Sequence, residues 1–333
     1  MGPGICRSDA DVETILNERR RNMKRKNKNR MCHSSKIIAV CKRGASTCVA
    51  VITLVAVFSL SGCVKDELHN TPHPDKGAVR VTTDWSIRSS DAVLPADYIL
   101  HISNEEQTVQ GETNTFKSQF LPGSQSLLVY HQAEGVTING TTATVNSLAD
   151  GTLNPLPGFL FSATRELDIP KDDTLKVAVP MKQHIRTLTL TLKLNPGDER
   201  RIASTAATLT NIASVMDLTT GAIAATGGKT TVPVFVPGTD NGQTRATGQP
   251  VLSATMRLLG VTTGAQQVLA LKITLTDGYV QTLTTDLTEA LKNFGSNLKP
   301  LELDARLELQ TDGQFSGTIT GWDVKEDITI DAD

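Results

Sequence analysis

Leu188-Thr189-Leu190-Thr191-Leu192-Lys193-Leu194 alternates a leucine with a polar residue at every step. Because successive side chains of a β-strand point to opposite faces, this spacing predicts a strand whose leucines face a core. The turn-forming residues 195–198, Asn-Pro-Gly-Asp, predict where the strand ends. A strand with one apolar face needs neighbouring strands and a second layer to bury that face.

Short segments of the same character occur on both sides of this strand, with turn residues between them. They predict an all-β fold built as antiparallel β-sandwiches. Before residue 188 the predicted strands are 78–85, 98–102, 115–120, 126–131, 159–162 and 175–179, and after it they are 206–212, 222–224, 232–237, 252–259, 267–275, 279–283, 301–309 and 315–322.

Three local patterns add detail to this fold. Asn139-Gly140, between two β-rich runs, predicts a hairpin over residues 136–145. Two prolines within residues 232–237 predict an edge strand or a segment that ends in a turn. Residues 286–294 place apolar side chains on one helical face, so they predict one short helix. We expect two sandwich domains, 78–183 and 184–333, with the helix in the second.

The N-terminal residues 1–62 have the layout of an extension and a secretory signal peptide. A basic pair, Lys42 and Arg43, precedes the apolar run 49–60, which is too short to span a bilayer. The run ends in Leu-Ser-Gly-Cys at residues 60–63, which resembles the lipobox of bacterial lipoproteins. That resemblance implies cleavage between Gly62 and Cys63 and diacylation of the Cys63 thiol.

Three methionines are candidates for the true start of the chain. They are Met1, Met23 and Met31, and a start at Met31 leaves a signal peptide of ordinary length.

A polar segment, residues 63–77, follows the predicted cleavage site and predicts a flexible acidic tether. Within it Lys65, Asp66 and Glu67 are similar to the acidic export signal of surface lipoproteins of the Bacteroidetes. That similarity implies a lipid-anchored protein on the outer face of the outer membrane.

Charge is divided at the same point. Residues 1–62 hold 12 Lys/Arg and 4 Asp/Glu, a net charge of +8. The whole chain has a net charge of −2, so the residues after 62 have a net charge of −10. An acidic chain without a basic stripe argues against nucleic-acid binding. It also makes electrostatic attachment to anionic lipid a poor explanation of membrane binding, so we expect the acyl chains to provide it.

No motif beyond Cys63 predicts catalysis or metal binding. No cysteine lies in that part, the histidines do not form His-Glu-x-x-His, and no calcium-loop, Walker A or Rossmann glycine pattern is present. We therefore expect neither an enzyme nor a cofactor.

The whole pattern resembles the fimbrial lipoproteins of the Bacteroidetes, whose assemblies are called type V pili. The resemblance is carried by the lipobox with its acidic tether, a strand–turn–strand over 206–221, a strand–helix–strand over 271–309, and Thr-Ile-Thr-Gly-Trp at 318–322. It implies transthyretin-like sandwiches and a lipid-anchored anchor or accessory subunit for cell adhesion. Its partners would be other fimbrial subunits, bound by β-strand addition.

Two other functions remain open. In shaft or tip pilins of this family a protease cuts after an arginine and removes the first strand. Arg80, Arg88 and Arg165 are candidates here, and Arg88 lies within the loop-like residues 86–90. A surface glycan-binding lipoprotein is the other alternative, although only 12 aromatic residues follow Cys63.

Overall fold

The computed structural model describes residues 75–225, 227–240, 248–310 and 317–325. All of them belong to one compact unit, Pro72–Asp333. Gly62, Cys63, Lys65, Asp66 and Glu67 lie outside the described residues, as do the three candidate start methionines. No helix in the described ranges is long and apolar enough to cross a membrane.

The described chain is almost entirely β-structure, which confirms the predicted fold class. Its first ten strands are β1 (Ala78–Asp84), β2 (Tyr98–Ile102), β3 (Glu105–Val109), β4 (Thr113–Thr115), β5 (Gly123–Tyr130), β6 (Val136–Asn139), β7 (Thr142–Val145), β8 (Phe161–Ile169), β9 (Thr174–Pro180) and β10 (Lys182–Gln183).

Ten further strands and one short helix follow. They are β11 (Arg186–Lys193), β12 (Ile202–Ile212), β13 (Val215–Asp217), β14 (Lys229–Thr231), β15 (Val236–Asp240), β16 (Gln249–Leu258), β17 (Val268–Leu275), β18 (Val280–Asp286), the helix α1 (Thr288–Leu291), β19 (Leu301–Glu308) and β20 (Thr318–Val324). A 3₁₀ turn, Asp198–Arg200, follows β11.

Each half of the described chain forms two sheets around one core. In the first half, sheet A has the order β4-β1-β9 and sheet B the order β10-β8-β5-β2-β3. In the second half, sheet C is β15-β16-β11-β19-β20 and sheet D is β14-β12-β17-β18. The leucines of β11 are fully buried in the second core, as the alternation from Leu188 predicted.

Two strand pairs are parallel, which the prediction of antiparallel sheets did not include. β1 runs parallel to β9, and β11 runs parallel to β19. In each half an early strand in the interior of a sheet is therefore paired with a late one. The other pairs between named strands are antiparallel, as expected.

The predicted hairpin is present, but its partner comes from the second half of the chain. Gly140 has a positive φ of 57° at the turn, as a tight hairpin requires. β7 pairs with β13, so a fifth sheet, sheet E, has the order β13-β7-β6. Val136, Ala143 and Val145 lie in the second core because that pairing carries them there. The domain division at residue 184 stays a prediction.

Two other local predictions need correction. Residues 232–235 are not a strand: β14 ends at Thr231 and β15 begins at Val236, although both are edge strands as expected. The helix is four residues long, not nine, because β18 pairs with β17 as far as Asp286 and so occupies the predicted first turn. Leu287 and Leu291 are nevertheless fully buried against the core.

Candidate assembly site: the first strand, its loop and an open sheet edge

β1 lies in the centre of sheet A and is paired on both sides. It is parallel to β9 along all seven of its residues, and its residues 80–82 pair with the antiparallel β4. Val79 and Val81 point into the first core and are completely buried, and Thr83 is nearly so. The N-terminal strand of the sandwich thus fills the groove between β4 and β9 with its own side chains.

The loop after β1 is held against the core at its start. Trp85 packs edge-on to Tyr98 and to Phe161, with ring centroids 5.5 Å away in each case. Its Nε1 donates to Thr83 Oγ1 at 2.8 Å. A tryptophan buried in this way does not offer a stacking surface to a sugar ring.

The candidate cleavage site, the peptide bond after Arg88, lies in this loop. The next residue, Ser89, is held by hydrogen bonds to Gln183, here called the Ser89–Gln183 clamp. Arg88 is exposed, and its Nη1 donates to the Trp85 carbonyl at 2.8 Å. Ser89 is only 4% exposed, and its N–H donates to Gln183 Oε1 at 2.7 Å. The buried Gln183 side chain donates in turn to Ser89 Oγ at 2.8 Å and to the Ile185 carbonyl at 3.0 Å. The 88–89 peptide bond is therefore held on its C-terminal side by Gln183 of β10.

β9 presents its outer edge without a strand partner among the described residues. Ala78 N–H donates to the Asp173 carbonyl, and Met181 N–H donates to the Asp84 carbonyl. In a parallel pair, alternate residues of each strand direct their N–H and C=O groups towards the neighbouring strand. These two bonds show that the odd-numbered residues of β9 are the ones hydrogen-bonded to β1. Lys176 and Ala178 consequently direct their N–H and C=O groups away from the sheet.

At the two ends of this edge the main-chain donors are not available to an added strand. The Thr174 N–H is taken by the carboxylate of Asp173, and Pro180 has no N–H. The open stretch is therefore centred on Lys176 and Ala178. Leu175 and Val177, which face the core, are only partly buried, so an added strand would cover further apolar surface.

Other sheet edges in the described ranges are less suitable for an added strand. β3 begins with two exposed glutamates, and β15 contains Pro237. The edge of β18 is covered, since Trp322 Nε1 donates to Thr285 Oγ1 at 3.0 Å. Charges, prolines and covering side chains are the usual protection of edge strands.

A buried serine–histidine pair lies close to the clamp. Ser162 Oγ is 2.7 Å from His184 Nε2, but Ser162 is only 1% exposed, so this pair is not accessible to a substrate. Its geometry joins β8 to the segment that enters β11. No group of three or more His, Cys, Asp or Glu side chains in the described ranges is arranged to hold a metal ion.

Burial of His184 in the Ser162–His184 pair makes the free energy of unfolding depend on pH. Burial chiefly, and then the cations Lys182 and Arg186, lower the pKa of His184 from 6.5 to about 4. Because the folded pKa is the lower one, this stability is fully present above about pH 6.5 and is lost as pH falls towards 4. We expect the free energy of unfolding to drop by about 2 kcal/mol from His184 alone between about pH 7.5 and about pH 5.

Urea unfolding of the wild type and of His184→Gln at both pH values checks this expectation. Burial also lowers the pKa of His131, so the variant should keep a smaller drop in the same direction. An identical drop in the two proteins would contradict the assignment to His184.

Of the residues predicted from sequence, the described ranges contain the three candidate arginines: Arg80 lies within β1, Arg165 within β8 and Arg88 in the loop after β1. Sequence reasoning missed the Gln183 clamp and the open edge of β9. Alternation at residues 175–179 indicated a strand, but it carries no information on whether that strand has one neighbour or two.

Comparisons with known proteins give one family and one fold. The family model of fimbrillin-A associated anchor proteins Mfa1 and Mfa2 matches residues 97–327. Among curated proteins, a sequence search finds no match.

Three solved structures illustrate the likeness in fold. A candidate adhesin of Bacteroides ovatus is 15% identical with a TM-score of 0.51, over 72% of this chain and 92% of its own. A second one from that species is 10% identical with a TM-score of 0.52, over 76% and 96%. The fimbrial anchor protein Mfa2 of Porphyromonas gingivalis is 11% identical with a TM-score of 0.50, over 74% and 96%. At such identities the likeness is one of fold.

Proposed function

Because the chain belongs to the family of fimbrillin-A associated anchor proteins Mfa1 and Mfa2, we propose that it is a lipid-anchored anchor or accessory subunit of a cell-surface fimbrium. Family membership gives the coarser statement, a fimbrial anchor or adhesin role at the cell surface. The finer one adds that Cys63 carries the lipid in the outer membrane and that other fimbrial subunits bind by β-strand addition. No cofactor or enzymatic step is part of this function.

The retained first strand is the observation that carries the proposal. β1 is bonded to both neighbours, and its valines fill the core. A subunit whose groove holds its own strand has no place there for a strand from another subunit, so a growing polymer would stop at it. Such a chain suits the end of a fimbrium that is fixed to the membrane.

The shaft or tip alternative requires the opposite fate for β1. Cleavage after Arg88 would release residues up to that point and vacate the groove between β4 and β9. Arg88 is exposed, which favours this alternative, but an arginine-specific protease also needs an extended segment after the cleaved bond. The burial of Ser89 and its bonds to Gln183 oppose that requirement.

Strand addition is supported by the free edge of β9. Main-chain donors and acceptors at Lys176 and Ala178 offer the hydrogen bonds from which β-augmentation derives affinity. This edge is available while β1 remains in place, so a subunit can be held without any exchange of strands in the groove.

The state of the mature N-terminus tests the anchor against the pilin. We expect the protein from the outer-membrane fraction to begin at acylated Cys63, because the lipobox places cleavage before that cysteine. Cys63→Ala should move it out of the membrane fraction, since no other described feature supplies comparable hydrophobic attachment. Mass spectrometry of the N-terminal peptide and cell fractionation measure both.

Arg88→Gln is the matched control, and it should leave the N-terminus and the membrane attachment unchanged. A mature N-terminus at Ser89 in the wild type, lost in Arg88→Gln, would replace the anchor proposal with that of a protease-matured pilin.

A further inference from the structure

A cavity of about 760 Å³ opens beside the helix α1. Its walls come from residues 289–302, the start of β11, the end of β20 and Ser90 in the loop after β1. A volume in this range suits a small ligand of monosaccharide or disaccharide size. No residue of β9 lines the cavity, and Ser90 is its only lining residue from the loop after β1 among the described residues.

Arg186 is the unusual group in this wall. It begins β11 and continues the row of core-facing leucines 188, 190 and 192, so its side chain is 8% exposed. Its Nη1 is shielded from solvent and has no hydrogen-bond partner. The Arg186 side chain makes no hydrogen bond or ion pair with any described residue. A buried charge without a partner is strongly unfavourable, so this position is suited to receive an anion.

The surrounding charges do not supply that anion. Glu302 Oε2 lies 3.8 Å from Lys325 Nζ, and Glu289 Oε2 lies 3.5 Å from Lys292 Nζ. Each of these two rim carboxylates therefore has a lysine partner. Lys299 also lines the cavity and has no ion pair in the described part of the chain. Among the described residues, the wall thus has two cations, Arg186 and Lys299, without an acidic partner.

The remainder of the lining combines hydrogen-bonding groups with a small apolar surface. Ser90 and Asn293 offer polar side chains, and Ala290 and Phe294 offer apolar ones. A planar guanidinium binds a carboxylate through two parallel N–H bonds, which gives it directional selectivity. Hydroxyl groups on the ligand would use the serine and amide side chains, and its C–H face would rest on the apolar part.

We propose that this cavity binds a small hydroxylated carboxylate of the uronic acid class, with Arg186 holding the carboxylate. The ligand supplies the carboxylate partner that Arg186 lacks among the described residues. This function is additional to fimbrial anchoring and does not depend on it.

Isothermal titration of the full mature chain with D-glucuronate, D-glucose and acetate tests the proposal. Glucuronate should bind saturably, whereas glucose lacks the carboxylate and acetate lacks the hydroxyls, so each should bind at least about tenfold more weakly. Arg186→Met should weaken glucuronate binding by about tenfold or more. The unliganded variant should melt at the same temperature as the wild type or higher, because an unpaired buried charge is removed.

Lys272→Met, which removes an exposed lysine of β17 outside the cavity lining, is the control, and it should bind glucuronate as the wild type does. Should Arg186→Met fail to fold, Asn293→Asp places a competing carboxylate in the wall and should abolish binding. Unsaturable titration with glucuronate, equal binding of glucose or acetate, or unchanged binding in Arg186→Met or in a folded Asn293→Asp would each overturn the proposal.

Discussion

Ala178→Pro is expected to reduce the capture of fimbrial subunits by about tenfold to a hundredfold while leaving the protein folded. The Ala178 N–H points away from sheet A, so proline removes a donor that only an added strand would use. The proline ring also occupies space that the backbone of an added strand needs. Proline is tolerated at such a position on an edge strand because no ladder bond within the protein is lost. A pull-down of fimbrial subunits from the same cell envelope, quantified against wild type, measures the effect.

The neighbouring residue provides a strict control for this prediction. The Val177 N–H points towards β1, so Val177→Pro breaks the β1–β9 ladder and should destabilise the first half by about 3 kcal/mol or more. Ala178→Val keeps the outward N–H and should capture subunits as the wild type does. Normal capture by a folded Ala178→Pro protein would exclude this edge as the site of strand addition.

Gln183→Ala is expected to make the chain sensitive to cleavage after Arg88. The substitution removes the acceptor of the buried Ser89 N–H and three hydrogen bonds in total. An unsatisfied buried donor costs about 1–3 kcal/mol. The population of the open form of the loop should therefore rise by about tenfold or more over that in the wild type. Limited digestion with an arginine-specific protease under native conditions should therefore cut the variant at least about tenfold faster than wild type.

Edman sequencing of the large fragment should begin at Ser89, and adding Arg88→Gln to the variant should remove the new cut. The loop has a second tie, since the Thr187 hydroxyl donates to the Asp91 carboxylate, so residues beyond the clamp should stay docked. Equal digestion rates for wild type and Gln183→Ala would show that burial of Ser89 does not protect the bond.

These two predictions connect the clamp and the open edge to one question, which is whether the first strand stays. With β1 retained, a partner strand would have to use an outer edge, and β9 offers outward main-chain groups at Lys176 and Ala178. In the proposed function, loss of β1 would open the groove to a strand from another subunit. The Gln183 side chain, which bonds Ser89, would oppose that conversion by protecting the peptide bond after Arg88.

Local pattern was enough to predict much of this molecule. Strict alternation at residues 188–194 gave the buried face of β11, and Asn139-Gly140 gave the position of a hairpin. The prolines at 233 and 237 indicated an edge, and Pro237 lies in the edge strand β15, whereas residues 232–235 are outside any strand. Such features depend on backbone preference and on side-chain period, which neighbouring residues alone decide.

Long-range contacts decided the remainder. Alternation defines which face of a strand is buried but not which strand lies beside it, so the pairing of β7 with β13 and the parallel β1–β9 pair were not predictable. The same reason hid three features of the described ranges, which are the outer edge of β9, the Ser89–Gln183 clamp and the absence of a partner for Arg186, because each depends on residues far apart in the chain. The sequence by itself determined the strands, the turns and the predicted export signal. The tertiary structure decided which edge is open, which bond is protected and which charge lacks a partner, because these depend on what burial places next to each group.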